Sequence, residues 1–168
     1  QNAVKSFYKV KYISHPAKRK LAIYFFDKFR TRILPIQHEL RHTMIHGDLN
    51  DRNILIKDGK VEGLLDLGDS CFTPCVYEIA TAMGYAMMSM EKPFEEFFPL
   101  LAAYHKVSPL QKREVELMAT AITTKLCISV CNSSEKRFLK EGSEYDLISE
   151  KPAWALLEKW IATNPTFI

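Results

Sequence analysis

Side chains able to bind a cation and phosphate lie close together in one segment of the chain, residues 46–69. This segment reads HGDLNDRNILIKDGKVEGLLDLGD and contains Asp48, Asn53 and Asp66. Carboxylate and amide oxygens are ligands that Mg²⁺ accepts, typically one or two carboxylates together with phosphate oxygens and water. These residue types therefore indicate chemistry on a magnesium-bound phosphate, provided that the fold brings the three side chains together.

A predicted β-hairpin would bring these three side chains together. Two short apolar runs flank Asp58-Gly59, which is the strongest short-range hairpin signal. Counting outward from a two-residue turn, Asn53 faces Leu64, and Asp66 lies one rung further along. Both residues then fall at the open end of the hairpin, beside the loop that carries Asp48.

The spacing of these residues is typical of phosphoryl transfer. In protein kinases a catalytic-loop Asp positions the attacking hydroxyl, a later Asn binds metal, and another Asp beyond the hairpin binds the second metal. Asp48, Asn53 and Asp66 follow that order. Each alone has a structural explanation, since Gly and Asp mark turns, Asn can cap a strand, and Asp can bond local amides. The combination with the hairpin favours the kinase-type interpretation.

The segment resembles the catalytic loop of the aminoglycoside phosphotransferase/choline kinase superfamily, whose pattern is close to HGDxNxxNIL. The residues Gly63–Asp69, GLLDLGD, followed by Val76–Ala80, VYEIA, are similar to the hydroxylysine kinase family, in which G-I-L-D-F-G-D precedes V-x-E-x-A. Leu67 stands where Phe is commoner, a conservative apolar change. The resemblance is strong over residues 42–90 and looser on either side.

The resemblance implies roles for individual residues. Asp48 would accept or orient the substrate hydroxyl as the catalytic residue. Asn53 and Asp66 would ligate Mg²⁺ and thereby bind the nucleotide. His46 would brace the loop, and Asp69 would either approach the metal site or substrate amine or simply fix the turn.

Glu78 is a carboxylate within an otherwise apolar predicted helix. A buried carboxylate needs a partner. The structural interpretation is a bond to the catalytic loop, through Arg52 or a backbone amide, and the functional one is direct contact with substrate. We favour the structural interpretation because buried carboxylates are usually paired for structural reasons.

The resemblance also implies the reaction. A kinase of this type transfers the γ-phosphoryl group of GTP or ATP to the hydroxyl of a small amine or amino acid, with 5-hydroxylysine as the first choice and GTP as its donor. Two alternatives stay open. The acceptor could be choline, homoserine or an aminoglycoside-like amine, or the chain could be a non-catalytic binding or regulatory lobe.

Kinases of this type have two lobes, and the second is mostly helical. They hold the nucleotide phosphates with a Gly-rich loop and a strand Lys. The six Gly of this chain, at 47, 59, 63, 68, 84 and 142, form no such loop. We therefore expect residues 1–168 to be one domain of α+β class, mostly α-helical: the C-terminal lobe with its small hairpin. The N-terminal lobe is expected to be absent from these residues, and the chain alone to be inactive.

Charge and hydropathy exclude several kinds of partner. The formal net charge of +3 is too small to indicate nucleic acid or an anionic membrane. The longest nearly apolar stretch, Ile79–Met90, is shorter than the roughly 20 residues that span a bilayer. It predicts a buried helix.

The four cysteines form two C-x3-C pairs, Cys71 with Cys75 and Cys127 with Cys131. Zinc sites usually use C-x2-C, so metal binding is the weaker interpretation. Cys127 and Cys131 lie one helical turn apart in an apolar run, which favours buried thiols. Without a secretory signal, the thiols are expected to be reduced and the protein cytoplasmic.

Most of the remaining chain is predicted to be helical. Thr73-Pro74 is a good N-cap and first helical position, and Ser108–Gln111 combines a capping box with Pro at the first position. Pro35 should end or kink the first long helix. Residues 132–148 are polar and predict a loop. The predicted helices cover residues 16–34, 73–90, 94–105, 108–131 and a last segment from about 152.

Overall fold

The computed structural model describes residues 2–141 and 148–163. They are mostly helical and include short antiparallel strands, as expected for the α+β class. The helices are α1 (Asn2–Phe7), α2 (Pro16–Arg32), α3 (Val76–Ser89), α4 (Pro93–Val107), α5 (Lys112–Leu139) and α6 (Glu150–Thr163), and the strands are β1 (His42–Ile45), β2 (Ile54–Lys57), β3 (Lys60–Leu64) and β4 (Cys71–Pro74). None of the helices described combines the length and apolar character that a bilayer crossing requires.

The chain divides into two compact units. The first, within residues 1–32 and 123–168, contains α1, α2, the C-terminal part of α5, and α6. Its apolar core includes Phe25, Phe26 and Leu157, all fully or almost fully buried. Helix α2 ends at Arg32, ahead of Pro35, because the residue before a proline avoids the helical conformation.

The polar end of α5 is held by an ion pair within this unit. Lys9 Nζ lies 2.7 Å from Glu135 Oε2 and donates to Asn132 Oδ1 at 2.9 Å. The predicted loop over 132–148 is therefore wrong for 132–139, where these polar residues have partners and remain helical. Residues 142–147 lie outside the described part of the chain.

The two cysteines of α5 are the buried thiols that the apolar run predicted. Cys127 and Cys131 are both fully buried and free. Burial raises the pKa of Cys131 to about 12 and also raises the pKa of Cys127 well above its ordinary value. Both thiols are therefore protonated at neutral pH and behave as apolar side chains.

The second unit, residues 33–122, contains the four strands, α3, α4 and the start of α5. Helix α3 buries Val76, Ile79, Met83 and Met87 at helical spacing along one face. Helix α4 packs against it. The strands form two separate antiparallel ribbons, β1 with β4 and β2 with β3.

The β1–β4 ribbon replaces a predicted helix start. Ile45 pairs with Cys71 and His42 with Pro74, so Thr73 and Pro74 end a strand and do not cap a helix. Helix α3 begins two residues later, at Val76. A two-stranded ribbon tolerates Pro because each strand has an edge that needs no N–H donor.

Helix α5 begins later than predicted. The expected capping box over 108–111 is wrong, and one of the two bonds of such a box occurs further along. Helix α5 starts at Lys112, and Glu114 in its first turn accepts a hydrogen bond from the backbone N–H of Gln111 at 2.7 Å.

Glu114 also connects three parts of the second unit. The carboxylate has no exposure and accepts from Arg41 Nε at 2.9 Å, Arg41 Nη2 at 2.6 Å and Cys75 Sγ at 3.2 Å. Burial alone would raise the pKa of Glu114. The bonds from Arg41, the Gln111 amide and Cys75 outweigh burial and hold that pKa below its ordinary value.

The β2–β3 hairpin turns at Asp58 (φ 50°) and Gly59 (φ 72°), as predicted. Both residues adopt the left-handed conformation that a type I′ turn requires. Lys57 pairs with Lys60, which confirms the two-residue turn.

The register further from the turn differs from the prediction. Ile56 pairs with Val61 but Leu55 pairs with Gly63, so β3 contains one extra residue. Such a bulge shifts every later pair by one position. The predicted pairing of Asn53 with Leu64 is therefore wrong, because Leu64 pairs with Ile54.

Candidate active site

Gly47 allows the loop between β1 and β2 to turn sharply. Its φ is +83°, and a Cβ at this position would lie 2.6 Å from the backbone oxygen of Asp69. Either feature disfavours any other residue, since side chains rarely adopt this φ and the obstructing atom belongs to the backbone. The sequence H-G-D therefore requires its glycine for geometric reasons.

His46 joins this loop to the chain after the hairpin. The ring is buried, its Nε2 lies 2.7 Å from the Leu65 carbonyl oxygen, and its Nδ1 lies 3.3 Å from the Asp48 backbone nitrogen. A carbonyl only accepts and an amide N–H only donates, so the neutral ring with its hydrogen on Nε2 satisfies both bonds. This is the geometry that a bracing role requires.

Glu78 holds the same loop from the first turn of α3. Oε1 accepts from the His46 amide at 3.1 Å, and Oε2 accepts from the Gly47 amide at 3.0 Å. Of the two loop partners considered from sequence, the structure shows backbone amides. Arg52 is exposed, and its own backbone N–H donates to Asn50 Oδ1 at 2.9 Å.

Asp48 is half-buried and has a donor on each carboxylate oxygen. The Tyr85 hydroxyl lies 2.9 Å from Oδ1, and Asn50 Nδ2 lies 3.2 Å from Oδ2. Its backbone carbonyl accepts from Asn53 Nδ2 at 2.9 Å. An ionised carboxylate only accepts, so both side-chain neighbours donate to it. The arrangement suits a base with a defined orientation.

Leu65, the residue before Asp66, is bonded to the loop at Asn53 and at His46. The Leu65 N–H donates to the Asn53 carbonyl at 2.9 Å, while the Leu65 carbonyl accepts from His46 Nε2. Asp66 is the next residue, is exposed, and adopts φ 56° and ψ 64°. A left-handed backbone is uncommon outside Gly, although Asp adopts it more readily than most residues. The bulge in β3 sets Leu65 opposite Asn53, and Asp66 is the next residue along the chain.

Asp69 contributes its backbone to the loop. It ends the short helical turn Leu67–Asp69, and its carbonyl oxygen is the atom that faces Gly47. The side chain is exposed. These contacts involve the Asp69 backbone, and the role of its side chain, at the metal site or in the turn, stays a prediction.

Two residues that contact Asp48 were not selected from the sequence. Asn50 lies within the loop motif, between Asp48 and Asn53, so its position was an available signal. Tyr85 lies seven residues after Glu78 on α3, close to two full turns. Two polar groups on one face of an apolar helix could have indicated that this face meets the loop.

The donor set fits a cation that also binds phosphate. Asn53 uses its amide nitrogen on Asp48, so the amide oxygen Oδ1 is the atom that can face a metal ion. Asp66 adds one carboxylate. Across 2–141 and 148–163, no three His, Cys, Asp or Glu side chains form a group that could hold a metal ion. One carboxylate and one amide oxygen match Mg²⁺, which completes its coordination with phosphate and water.

Comparison with known protein families identifies the class to which the chain belongs. Residues 8–115 match the model of the phosphotransferase enzyme family, APH, and the chain belongs to that family. Within that family, the chain is similar to hydroxylysine kinases. It is 26% identical to the Mus musculus protein, over 88% of this chain and 42% of that protein. It is 28% identical to the Xenopus laevis protein, over 78% of this chain and 38% of that protein. The resemblance inferred from the motifs is confirmed.

Another relative matches over a shorter stretch. An aminoglycoside 3'-phosphotransferase of Enterococcus faecalis is 45% identical over 58 residues, 33% of this chain and 22% of that protein. The chain spans about two-fifths of the length of the hydroxylysine kinases that it matches. No solved structure matches it significantly.

Proposed function

We propose that the protein transfers the γ-phosphoryl group of a nucleoside triphosphate to the hydroxyl of a small amine or amino acid. One observation carries this proposal. The loop binds both backbone polar groups of Leu65, through His46 Nε2 and the Asn53 carbonyl. Asp66 is therefore the next residue in sequence after one that is bonded to the loop carrying Asp48 and Asn53.

In the proposed reaction Asp48 acts on the acceptor. Its carboxylate accepts a hydrogen bond from the acceptor hydroxyl and takes the proton as that oxygen bonds to the γ-phosphorus. The bond from phosphorus to the bridging oxygen breaks, and a nucleoside diphosphate leaves. Mg²⁺, held by Asn53 Oδ1 and the Asp66 carboxylate, would neutralise charge on the phosphates. His46 and Glu78 keep the loop backbone in place during the transfer.

We propose 5-hydroxylysine as the first acceptor to test and GTP as the first donor, with ATP as the alternative. The hydroxylysine kinase relatives support this choice of acceptor. The aminoglycoside 3'-phosphotransferase match keeps a different hydroxylated amine open, such as an aminoglycoside, choline or homoserine. Acceptor pockets are built from scattered side chains, so the motifs alone do not select among these acceptors.

We further propose that residues 1–168 supply the C-terminal, catalytic-loop lobe of a kinase-like fold in a cytoplasmic protein. The six Gly of the sequence form no phosphate-binding loop, so the nucleotide clamp would come from outside these residues. The chain alone would then bind nucleotide weakly and turn over slowly or not at all.

The test compares, in the full-length protein, two Asp residues whose backbones adopt the left-handed conformation. Asp66 and Asp58 have φ of 56° and 50°, and Asn also tolerates this conformation, so both Asp→Asn changes should fold. Asp66→Asn and Asp48→Asn should each lower kcat/KM by about 100-fold or more, whereas Asp58→Asn, at the hairpin tip, should match the parent. Product is measured with GTP or ATP, Mg²⁺ and a panel of hydroxylated amines.

The same variants separate the alternatives. If only another amine is phosphorylated, the acceptor assignment is wrong and the reaction class stands. If Asp48→Asn retains parental activity, the proposed catalytic role is wrong. If the full-length protein shows no Mg²⁺-dependent nucleotide binding, with Asp66→Asn as the control, the chain is a non-catalytic binding or regulatory lobe.

A further inference from the structure

We infer that Tyr85 is a positioning residue whose hydroxyl orients the Asp48 carboxylate for proton transfer. This inference rests on the proposed function, because it assigns a role through the residue proposed as the base. The Tyr85 hydroxyl lies 2.9 Å from Asp48 Oδ1. Its partner on the other oxygen, Asn50 Nδ2, lies 3.2 Å from Oδ2 and also contacts the Asp48 carbonyl at 3.0 Å.

The two donors differ in how firmly they are held. Asn50 belongs to the same loop as Asp48 and moves with it. Tyr85 is on helix α3, whose neighbouring residues Met83 and Met87 are fully buried. A hydrogen bond from this helix therefore sets the carboxylate plane relative to the packed part of the unit. The loop alone cannot provide that reference.

Helix α3 then acts on the loop at two points. Glu78 holds the backbone amides of His46 and Gly47, and Tyr85 holds the side chain of Asp48. The first contact places the loop, and the second sets the rotation of its carboxylate. Both carboxylate oxygens have a donor, and the bond from Tyr85 to Oδ1 is the shorter, so Oδ2 is the oxygen proposed to receive the acceptor proton.

The kinetic test uses two tyrosines of the same helix. Tyr85→Phe and the matched control Tyr77→Phe each remove one phenolic hydroxyl from α3, and the Tyr77 hydroxyl lies 3.4 Å from Gln37 Oε1. In the full-length protein, Tyr85→Phe should lower kcat about tenfold, the order expected when a hydrogen bond to a charged group is lost. KM for nucleotide should stay within about twofold, because the Tyr85 hydroxyl bonds the residue proposed to act on the acceptor. Tyr77→Phe should match the parent in both.

A second measurement tests the hydrogen bond between Tyr85 and Asp48 through stability, without an activity assay. Asp48→Ala, Tyr85→Phe and the double variant form a cycle of urea unfolding midpoints. If the bond exists, the double variant loses less than the sum of the two single losses.

Additive losses in the cycle, or equal kcat for Tyr85→Phe and Tyr77→Phe, would overturn the assignment. These results are distinguishable from failure of the proposed function. Loss of activity in Asp48→Asn together with full activity in Tyr85→Phe rejects only the positioning role. A full-length protein that phosphorylates no acceptor rejects the proposed function and the positioning role, and the cycle then reports only whether the bond forms.

Discussion

Replacing Glu78 by Gln tests whether helix α3 holds the catalytic loop. The carboxylate accepts from the His46 amide at 3.1 Å and from the Gly47 amide at 3.0 Å, one bond to each oxygen. Glutamine keeps the shape but offers one acceptor oxygen and one NH₂ donor. One of the two backbone N–H groups would then face another donor.

The cost follows from that lost bond. A hydrogen bond to a charged group contributes about 1.5–3 kcal/mol, and an unsatisfied buried donor costs more than a solvated one. Glu78 is only half-buried, so water can partly compensate. We therefore expect Glu78→Gln to lower the free energy of unfolding by about 2 kcal/mol. With a urea m-value of about 2 kcal/mol per molar, the midpoint should fall by about 1 M.

The assay is urea unfolding followed by circular dichroism at pH 7, with Glu116→Gln as the control. Glu116 is an exposed glutamate of α5, 3.8 Å from Lys112, and its replacement should shift the midpoint by a few tenths of a molar at most. In the full-length protein Glu78→Gln should also lower kcat about tenfold, because the loop backbone is less well fixed. If Glu78→Gln matched Glu116→Gln in both stability and kcat, the two amide bonds would not hold the loop.

Three further outcomes follow from other parts of the chain. The folded-state pKa of Glu114 lies below its ordinary value of 4.5, so the ionised carboxylate stabilises the fold above that pH, and this stabilisation is lost as the pH falls through the lower folded value. Glu114→Gln should therefore lower the unfolding free energy by about 2–4 kcal/mol at pH 7 and make that free energy decline less steeply in acid. Equal pH slopes for variant and parent would contradict this. Gly47→Ala should lower the free energy of unfolding in urea by about 1–3 kcal/mol or more and abolish most activity. The reason is that the φ of residue 47 is +83° and the new Cβ would lie 2.6 Å from the Asp69 backbone oxygen. A variant as stable as the parent would show that the loop relaxes freely. Iodoacetamide should label the exposed Cys71 at once but the buried Cys127 only as the protein unfolds. Mass spectrometry identifies the labelled cysteine at each time point. Rapid labelling of Cys127 in the folded protein would refute its burial.

The sequence predicted the parts of the site that depend on local chemistry. Asp58-Gly59 requires two left-handed residues, so the hairpin turn followed from residue type alone. Glu78 in an apolar helix required a partner, and the catalytic loop supplied it. The helix predicted over residues 16–34 followed from apolar residues at helical spacing, and the helix found, Pro16–Arg32, buries Phe25 and Phe29 of that set.

Features that depend on distant partners were not predictable. The strand Cys71–Pro74 forms because it pairs with His42–Ile45, and neither segment alternates apolar and polar residues clearly. Gly63 in β3 is a residue type that often marks a bulge, but the position of the extra residue follows only from the pairing with β2. Tyr85 reaches Asp48 across 37 positions of sequence, a contact that only the packing of α3 reveals. The single-domain organisation and the chemical roles of the site residues stay predictions.

The hairpin tip is separate from the contacts that hold the site. A Cβ at Gly59 would have nothing within 4 Å, and the bonds that fix Asp66 pass through Leu65 at the opposite end of the ribbon. Exposed tips of this kind tolerate insertions well. Residues 58–59 are therefore a suitable place to graft an epitope or a fluorescent label that reports on the protein while leaving its catalytic loop intact.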